Sequence, residues 1–352
     1  MSDSPDQDSA ALPLRPELSD DLPPVQPPSA GFIVQLFVVP GLIVLAVVAV
    51  WALFGRIAAG EQDWRKLALE LQSPNTHIRN RAMYGLAQVL DQDRVRGTQG
   101  QQLASNPEIV RGLSDQLAKE LRTTSSSPES VAIQQYLTRA LGLLNAPEAA
   151  ATSEADPTGG VALRQNAAAS MTAALKLALE PTRDIEIRKS AAASIAFIAS
   201  RALERGQPLE APELVQALID ASSGQEPVMR HAVAWTLGQF RSADALQHLQ
   251  VLLGHDDVMT RINAAISLSH SGSTDGLTVF KQALSEPTAT SPEAQGEKVV
   301  IQTNVLKALS NLAPKLAPND KAELRELVET LLKTNTNPRV HIDARNAFLV
   351  LK

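Results

Sequence analysis

One pattern recurs seven times along this chain and fixes what it can fold into. Take Arg79, Gln134, Arg188, Arg230, Arg261, Gln302 and His341 as position zero, and count three, seven and ten residues on. The positions read Ala82, Leu86, Val89; Leu137, Leu141, Leu144; Ala191, Ile195, Ile198; Val233, Leu237, Phe240; Ala264, Leu268, Ser271; Val305, Leu309, Leu312; and Ala344, Phe348, Leu351. Steps of four and three place each set along one face of an α-helix. Ser271 is the one polar member.

A second amphipathic stretch precedes each position zero. Examples are "WRKLALEL" (64–71), "LVQALID" (214–220) and "LRELVETLL" (324–332). Between the two stretches lie turn residues: "SPNT", "EPTRD", "GQEP", "GHDD", "NTNP". Each unit is therefore a helix, a turn and a helix. One such hairpin cannot bury its apolar stripe alone, whereas stacked hairpins bury a continuous core. Composition agrees. Hydrophobic residues make up 44% of the chain but aromatics only 3%, which suits close packing of alanine- and leucine-rich helices better than a β-sandwich.

The best-formed copies are "HIRNRAMYGLA" (77–87), "EIRKSAAASIA" (186–196), "VMRHAVAWTLG" (228–238) and "MTRINAAISLS" (259–269). They resemble HEAT repeats, whose second helix opens with an apolar-Arg pair followed by small apolar residues and Leu-Gly. The resemblance covers roughly residues 64–352. It implies an all-α fold, an α-solenoid of about seven HEAT-like hairpins. It also implies a structural role for Arg79, Arg188, Arg230 and Arg261, bonding turn carbonyls or a turn aspartate. Asp184, Asp256 and Asp257 stand in fitting places before Arg188 and Arg261.

The N-terminal part differs. Residues 1–30 carry six acids, one base and the proline-dense "DLPPVQPPSA", which reads as a disordered tail. Residues 31–55, "GFIVQLFVVPGLIVLAVVAVWALFG", contain no charge, and sixteen are Val, Ile, Leu or Phe. As a helix of about 1.5 Å per residue, this stretch is long enough to cross a hydrocarbon core of about 30 Å. The sequence thus predicts three parts: a tail at 1–30, one transmembrane helix at 31–56 and a solenoid at 57–352. Arg56, Arg65 and Lys66 follow the span while only Arg15 precedes it, so the positive-inside bias puts the solenoid in the cytoplasm.

The long segments 91–107, 122–130, 145–160 and 285–298 exceed what a compact hairpin needs, and their Ser, Thr, Pro and Ala content reads as disorder. No chemistry-bearing motif stands out. His77, His231, His248, His255, His270 and His341 make no HExxH spacing, and "GHDD" (254–257) lies in a repeat turn. Cysteine is absent. The reading therefore assigns no catalytic, cofactor-binding or metal residues.

It expects a membrane-anchored, non-catalytic scaffold that engages a protein or peptide partner on the solenoid surface. The alternatives are a HEAT-like enzyme, resembling the alkylpurine DNA glycosylases or the phycobilin lyases, or a structural subunit of a membrane complex contacted through Gln35 and Pro40-Gly41. The whole chain has 32 bases and 38 acids, of which two and six lie in the first 60 residues. A near-neutral solenoid with sparse aromatics argues against nucleic acid as partner.

Overall fold

The computed structural model describes residues 31, 38, 40–51, 63–71, 73–123, 127–145, 160–285 and 291–352. The chain divides into two units, Met1–Glu61 and Gln62–Lys352. In the first, residues 40–51 are helical and exposed on every face, with Leu42, Ile43, Val44, Leu45, Val47, Val48, Val50 and Trp51 all more than half exposed. Among the described residues no helix is long and apolar enough to cross a membrane. Most of the remainder of the expected span, Gln35 included, lies outside the described residues, as do the tail and residues 146–159.

Among the described residues the second unit is a series of seven helical hairpins. The first helices are α1 (Trp64–Glu70), α3 (Pro107–Arg122), α5 (Gly160–Leu179), α7 (Pro212–Ser222), α9 (Ala243–Leu253), α11 (Leu277–Ser285) and α13 (Pro318–Thr334). The second helices are α2 (Thr76–Arg96), α4 (Pro128–Leu141), α6 (Ile185–Glu204), α8 (Pro227–Leu237), α10 (Val258–Ser271), α12 (Pro292–Leu312) and α14 (Pro338–Val350). Local sequence starts them cleanly. Asn75, Asn106, Asp184, Asp257 and Asn337 cap α2, α3, α6, α10 and α14 by accepting backbone N–H bonds in the first turn. Proline opens α3, α4, α7, α8 and α14, where its missing N–H costs nothing.

Each helix packs on its hairpin partner and on neighbouring hairpins. Second helices α4 to α14 touch in unbroken succession, and α1, α3, α5, α7 and α9 form a parallel row of first helices. The +3, +7 and +10 positions form the core between the rows. All are buried except Val89, Ser271 and Phe348, which are half-buried. Alanine lets neighbours approach closely. On α6, Ala191, Ala192, Ala196 and Ala199 are fully covered alongside Ile195 and Ile198. The core divides into two clusters that meet at α10, where Ala264 and Leu268 join the N-terminal cluster and Ile262 and Ala265 the C-terminal one.

Of the segments expected to be disordered, 91–107 is ordered and 285–298 is helical in the described residues of its C-terminal half. Between 91 and 107, α2 continues to Arg96 and short 3-10 turns follow at Gly97–Gln99 and Leu103–Ser105. The cause is Asp93. Its buried carboxylate accepts the Gln101 and Leu103 N–H groups at 2.5 and 2.6 Å, and Leu103 is buried. Between 285 and 298 the chain is helical from Pro292, because Ser291 caps the Ala294 N–H and Glu293 sits in the first turn, favourable to the helix dipole.

Candidate binding surface

The position-zero side chains lie at the turns. The last carbonyls of a helix have no intrahelical donor, and a guanidinium offers five. Arg79 donates to the Ser73 carbonyl at 3.0 Å, Arg230 to Gly224 at 2.7 Å and Arg261 to His255 and Asp256 at 2.8 Å each. His341 contacts the Asn335 carbonyl, again six residues back, and Gln134 donates to Glu120 at 2.9 Å. Arg188 reaches forward instead. It is 2% exposed, bonds Glu226 of the next hairpin at 3.0 Å, and its other terminal nitrogen lies 3.5 Å from the Ala221 carbonyl. Asp184 does not meet Arg188, because its carboxylate caps the Glu186 N–H.

Adjacent second helices are coupled at position +6. Ser194 donates to the Thr138 carbonyl at 2.8 Å, and the Thr236 hydroxyl, shared between the Ala232 carbonyl of its own helix at 2.7 Å and the Ala192 carbonyl at 3.1 Å, likewise reaches position +4 of the preceding hairpin. Glycine at +8 makes room for the side chain at +6. A Cβ at Gly142 would stand 2.7 Å from Ser194 Oγ, and one at Gly238 would stand 2.6 Å from Ser267 Cβ and Oγ. The Leu-Gly ending of the motif is thus a site of close approach between repeats.

Positions +2, +5 and +9 lie within about 60° of one another on a helix turning about 100° per residue, opposite the core stripe. On this outward face the aromatics come in pairs. Tyr84 of α2 meets Tyr136 of α4 with ring centres 4.8 Å apart and planes at 67°. Phe197 of α6 meets Trp235 of α8 at 5.8 Å and 78°. Tyr84, Phe197 and Trp235 are 59%, 51% and 40% exposed. The Tyr136 hydroxyl donates to the Met83 carbonyl at 3.3 Å, and burial, reinforced by Tyr84, pushes its pKa up to about 12. Between the pairs lies Arg139 at +5 of α4, exposed, with Nε 3.3 Å from Ser190 Oγ of α6. Among the described residues no carboxylate stands within ion-pair distance of it. This face does not show along the linear sequence, because its aromatics fall at +5, +2, +9 and +5 of successive repeats rather than at one fixed position. Projecting the frame onto a helical wheel is the signal that finds them.

Residues 211–295, spanning α7 to the start of α12, match the family model for HEAT repeats. The chain carries HEAT repeats there. No curated protein matches its sequence. Similar solved structures include an engineered protein (19% identity, 82% of this chain and 96% of that one, TM-score 0.35). The complex of CpcE and CpcF of phycocyanin lyase from Nostoc is 16% identical over 81% of this chain and 93% of that one, at a TM-score of 0.37. Human deoxyhypusine hydroxylase is 14% identical over 83% and 96%, at 0.30.

In this HEAT array the titratable groups serve the joints between repeats. Asp257 caps α10 through the Thr260 N–H and hydroxyl at 2.8 and 2.6 Å and meets His231 Nε2 of the preceding repeat at 2.6 Å. Partial burial alone would raise its carboxyl. The bonds from Thr260 and His231 outweigh burial and hold it at about 2. The Ser222 hydroxyl donates to Ile219 and accepts from His248 Nε2 at 2.8 Å. Burial holds His248 below the usual imidazole range, and burial with the nearby Arg241 charge does the same for His270. Among the described residues no group of three His, Asp or Glu side chains can hold a metal ion.

Proposed function

We propose that this HEAT-repeat protein is a membrane-anchored scaffold whose second-helix face binds a partner protein. The observation that carries the reading is the pairing of exposed aromatics along α2, α4, α6 and α8. Single exposed apolar residues need no explanation, but clustered ones on a polar surface mark interaction sites, and aromatics with arginine dominate interface energetics. The uncharged run at 31–55 and the exposed apolar helix at 40–51 support a span at 31–56. Arg56, Arg65 and Lys66 support a cytoplasmic solenoid.

The test is site-specific photocrosslinking in native membranes, with benzoylphenylalanine placed at Phe197 and, as control, at Val251, which is exposed on α9. A protein captured from position 197 and not from 251 is expected. Equal capture from both positions, or none from 197, refutes the binding face. Alkaline extraction and protease treatment of spheroplasts on the same samples read the anchor and its orientation. Full release at high pH refutes the first, and digestion of the solenoid from outside refutes the second.

A further inference from the structure

The second helices share one hidden edge. Position +4 is Met83, Thr138, Ala192, Ala234, Ala265 and Leu306 in the second helices from α2 to α12, and all six are buried. Position +8 is Gly142, Ala196, Gly238 and Ser269 in those from α4 to α10, buried as well. The following repeat covers this edge, as the Ser194 and Thr236 bonds show. On α14 the same edge is open. Ile342 at +1 and Leu349 at +8 are 63% and 57% exposed, and Arg345 at +4 is exposed between them. A solenoid surface without a neighbouring repeat is ordinarily polar. Two large aliphatic side chains beside one charge mark instead a surface built to be covered.

Helix α13 supplies the matching charge at the same level. Arg325 stands over the Phe348 ring at 4.4 Å, and Leu332 shares a hollow of about 560 Å³ with Ile342 and Arg345. These two contacts align the antiparallel pair, with Ile342 level with Leu332 and Arg345 level with Glu329. The Glu329 carboxylate lies 2.7 Å from Lys333 of its own helix, a solvent-exposed pair and therefore a weak one. A twofold axis parallel to these helices lays α14 of one copy on α13 of the other and keeps every level. Arg345 then faces Glu329 of the second copy, Ile342 faces Leu332, and each contact occurs twice. The other twofold, α14 on α14, would set the two Arg345 guanidiniums against each other. We infer that this chain pairs with a second copy of itself through the end face of α13 and α14, with α14 of each seated on α13 of the other. The inference goes beyond the scaffold reading and does not depend on it. Such a pair carries two copies of the aromatic face. The 17 residues of α13 are about 25 Å long and two helices about 20 Å wide, so the pair buries about 1,000 Å² in all, near the lower bound of a specific interface.

The experiment follows the full-length chain in detergent micelles by sedimentation velocity. The wild type should pass from monomer to dimer between about 1 and 100 μM, the range suited to so small an interface. Arg345→Glu and Glu329→Arg should each weaken dimerisation by about tenfold or more, and an equal mixture of the two should recover it to within about threefold of the wild type. Loss of fold cannot produce that recovery, and circular dichroism checks that each variant keeps its helices. The chain has no cysteine, so introduced thiols map the contact. Ile342→Cys mixed with Leu332→Cys should oxidise to a disulfide dimer at least about fivefold faster than either variant alone, since the bond needs the two positions within about 7 Å. Val251→Cys, exposed on α9, mixed with Leu332→Cys sets the rate of random collision. A wild type still monomeric at the top of the range, or a mixture of charge variants that associates no better than its parts, overturns the inference. So do dimers that survive both charge reversals, which are held elsewhere, and a 342–332 disulfide that forms no faster than the collision control. Tighter association of Arg345→Glu with the wild type than of the wild type with itself would place α14 on α14 and overturn it too.

Discussion

Replacing Gly238 by alanine tests how closely the second helices are packed. The backbone at Gly238 has φ −62° and ψ −15°, which alanine adopts freely, so the unfolded-state effect alone would stabilise by about 0.4–1 kcal/mol. The added methyl would stand 2.6 Å from Ser267 Cβ and Oγ and 3.1 Å from its Cα, well inside the carbon contact distance of about 3.5–4.0 Å. Helices α8 and α10 must separate or a side chain must leave its rotamer, which costs about 1–3 kcal/mol. The expected net loss is about 1–2 kcal/mol. Urea unfolding followed by circular dichroism reads it, in a cycle with Ser267→Gly. Removing Ser267 Cβ and Oγ lifts the two shortest contacts, so the double variant should be more stable than the sum of the singles by about 1 kcal/mol. Additivity within about 0.5 kcal/mol would show that the two residues do not meet as described.

Gly276→Ala should cost more, about 2–4 kcal/mol by the same overpacking argument, because its methyl would meet Ala265 Cα at 2.8 Å as well as Cβ at 2.6 Å, and backbone yields less than a hydroxymethyl. A urea midpoint at or above the Gly238→Ala value would contradict this. Asp93→Ala frees two N–H groups, one on a buried residue, and should cost about 2–4 kcal/mol. Limited proteolysis should then cut first within 97–106, and an unchanged cleavage pattern would count against the role given to Asp93. The depressed His248 and His270 pKa values mean that the unfolded chain binds more protons below about pH 6.5. Their contribution is complete above that pH and is lost as the pH falls, so the urea midpoint should drop between pH 7.5 and 5.5. A midpoint unchanged over that window would remove both histidines from the account.

The hairpin frame was readable because burial imposes one rule on every repeat: Leu137, Ile195, Leu237 and Leu309 are all buried where a 3.6-residue period puts them. What side chains do at a turn was less readable. Asp184 and Asp257 had two physically sound uses, a bond to an arginine or a cap for their own helix, and only geometry shows the cap. Segment 91–107 reads as disordered from its length and composition because the single buried carboxylate that orders it leaves no compositional trace. The outward face was hidden for another reason. Tyr84 and Trp235 share position +5 but Tyr136 and Phe197 stand at +2 and +9, since a surface is shared between helices and answers to no local period.

Helix α10 contributes side chains to both core clusters, Ala264 and Leu268 on one side and Ile262 and Ala265 on the other. It is one rung common to two ladders. Melting of the last repeats strips one flank of α10 and leaves the other seated, so damage entering from the C-terminus arrives at the aromatic row only after crossing that rung. The repeats that carry the row, α2 to α8, lie on its far side. A truncation or a loosened terminal repeat is thereby kept at a distance from the aromatic face, and a change in α10 itself reaches both halves of the array.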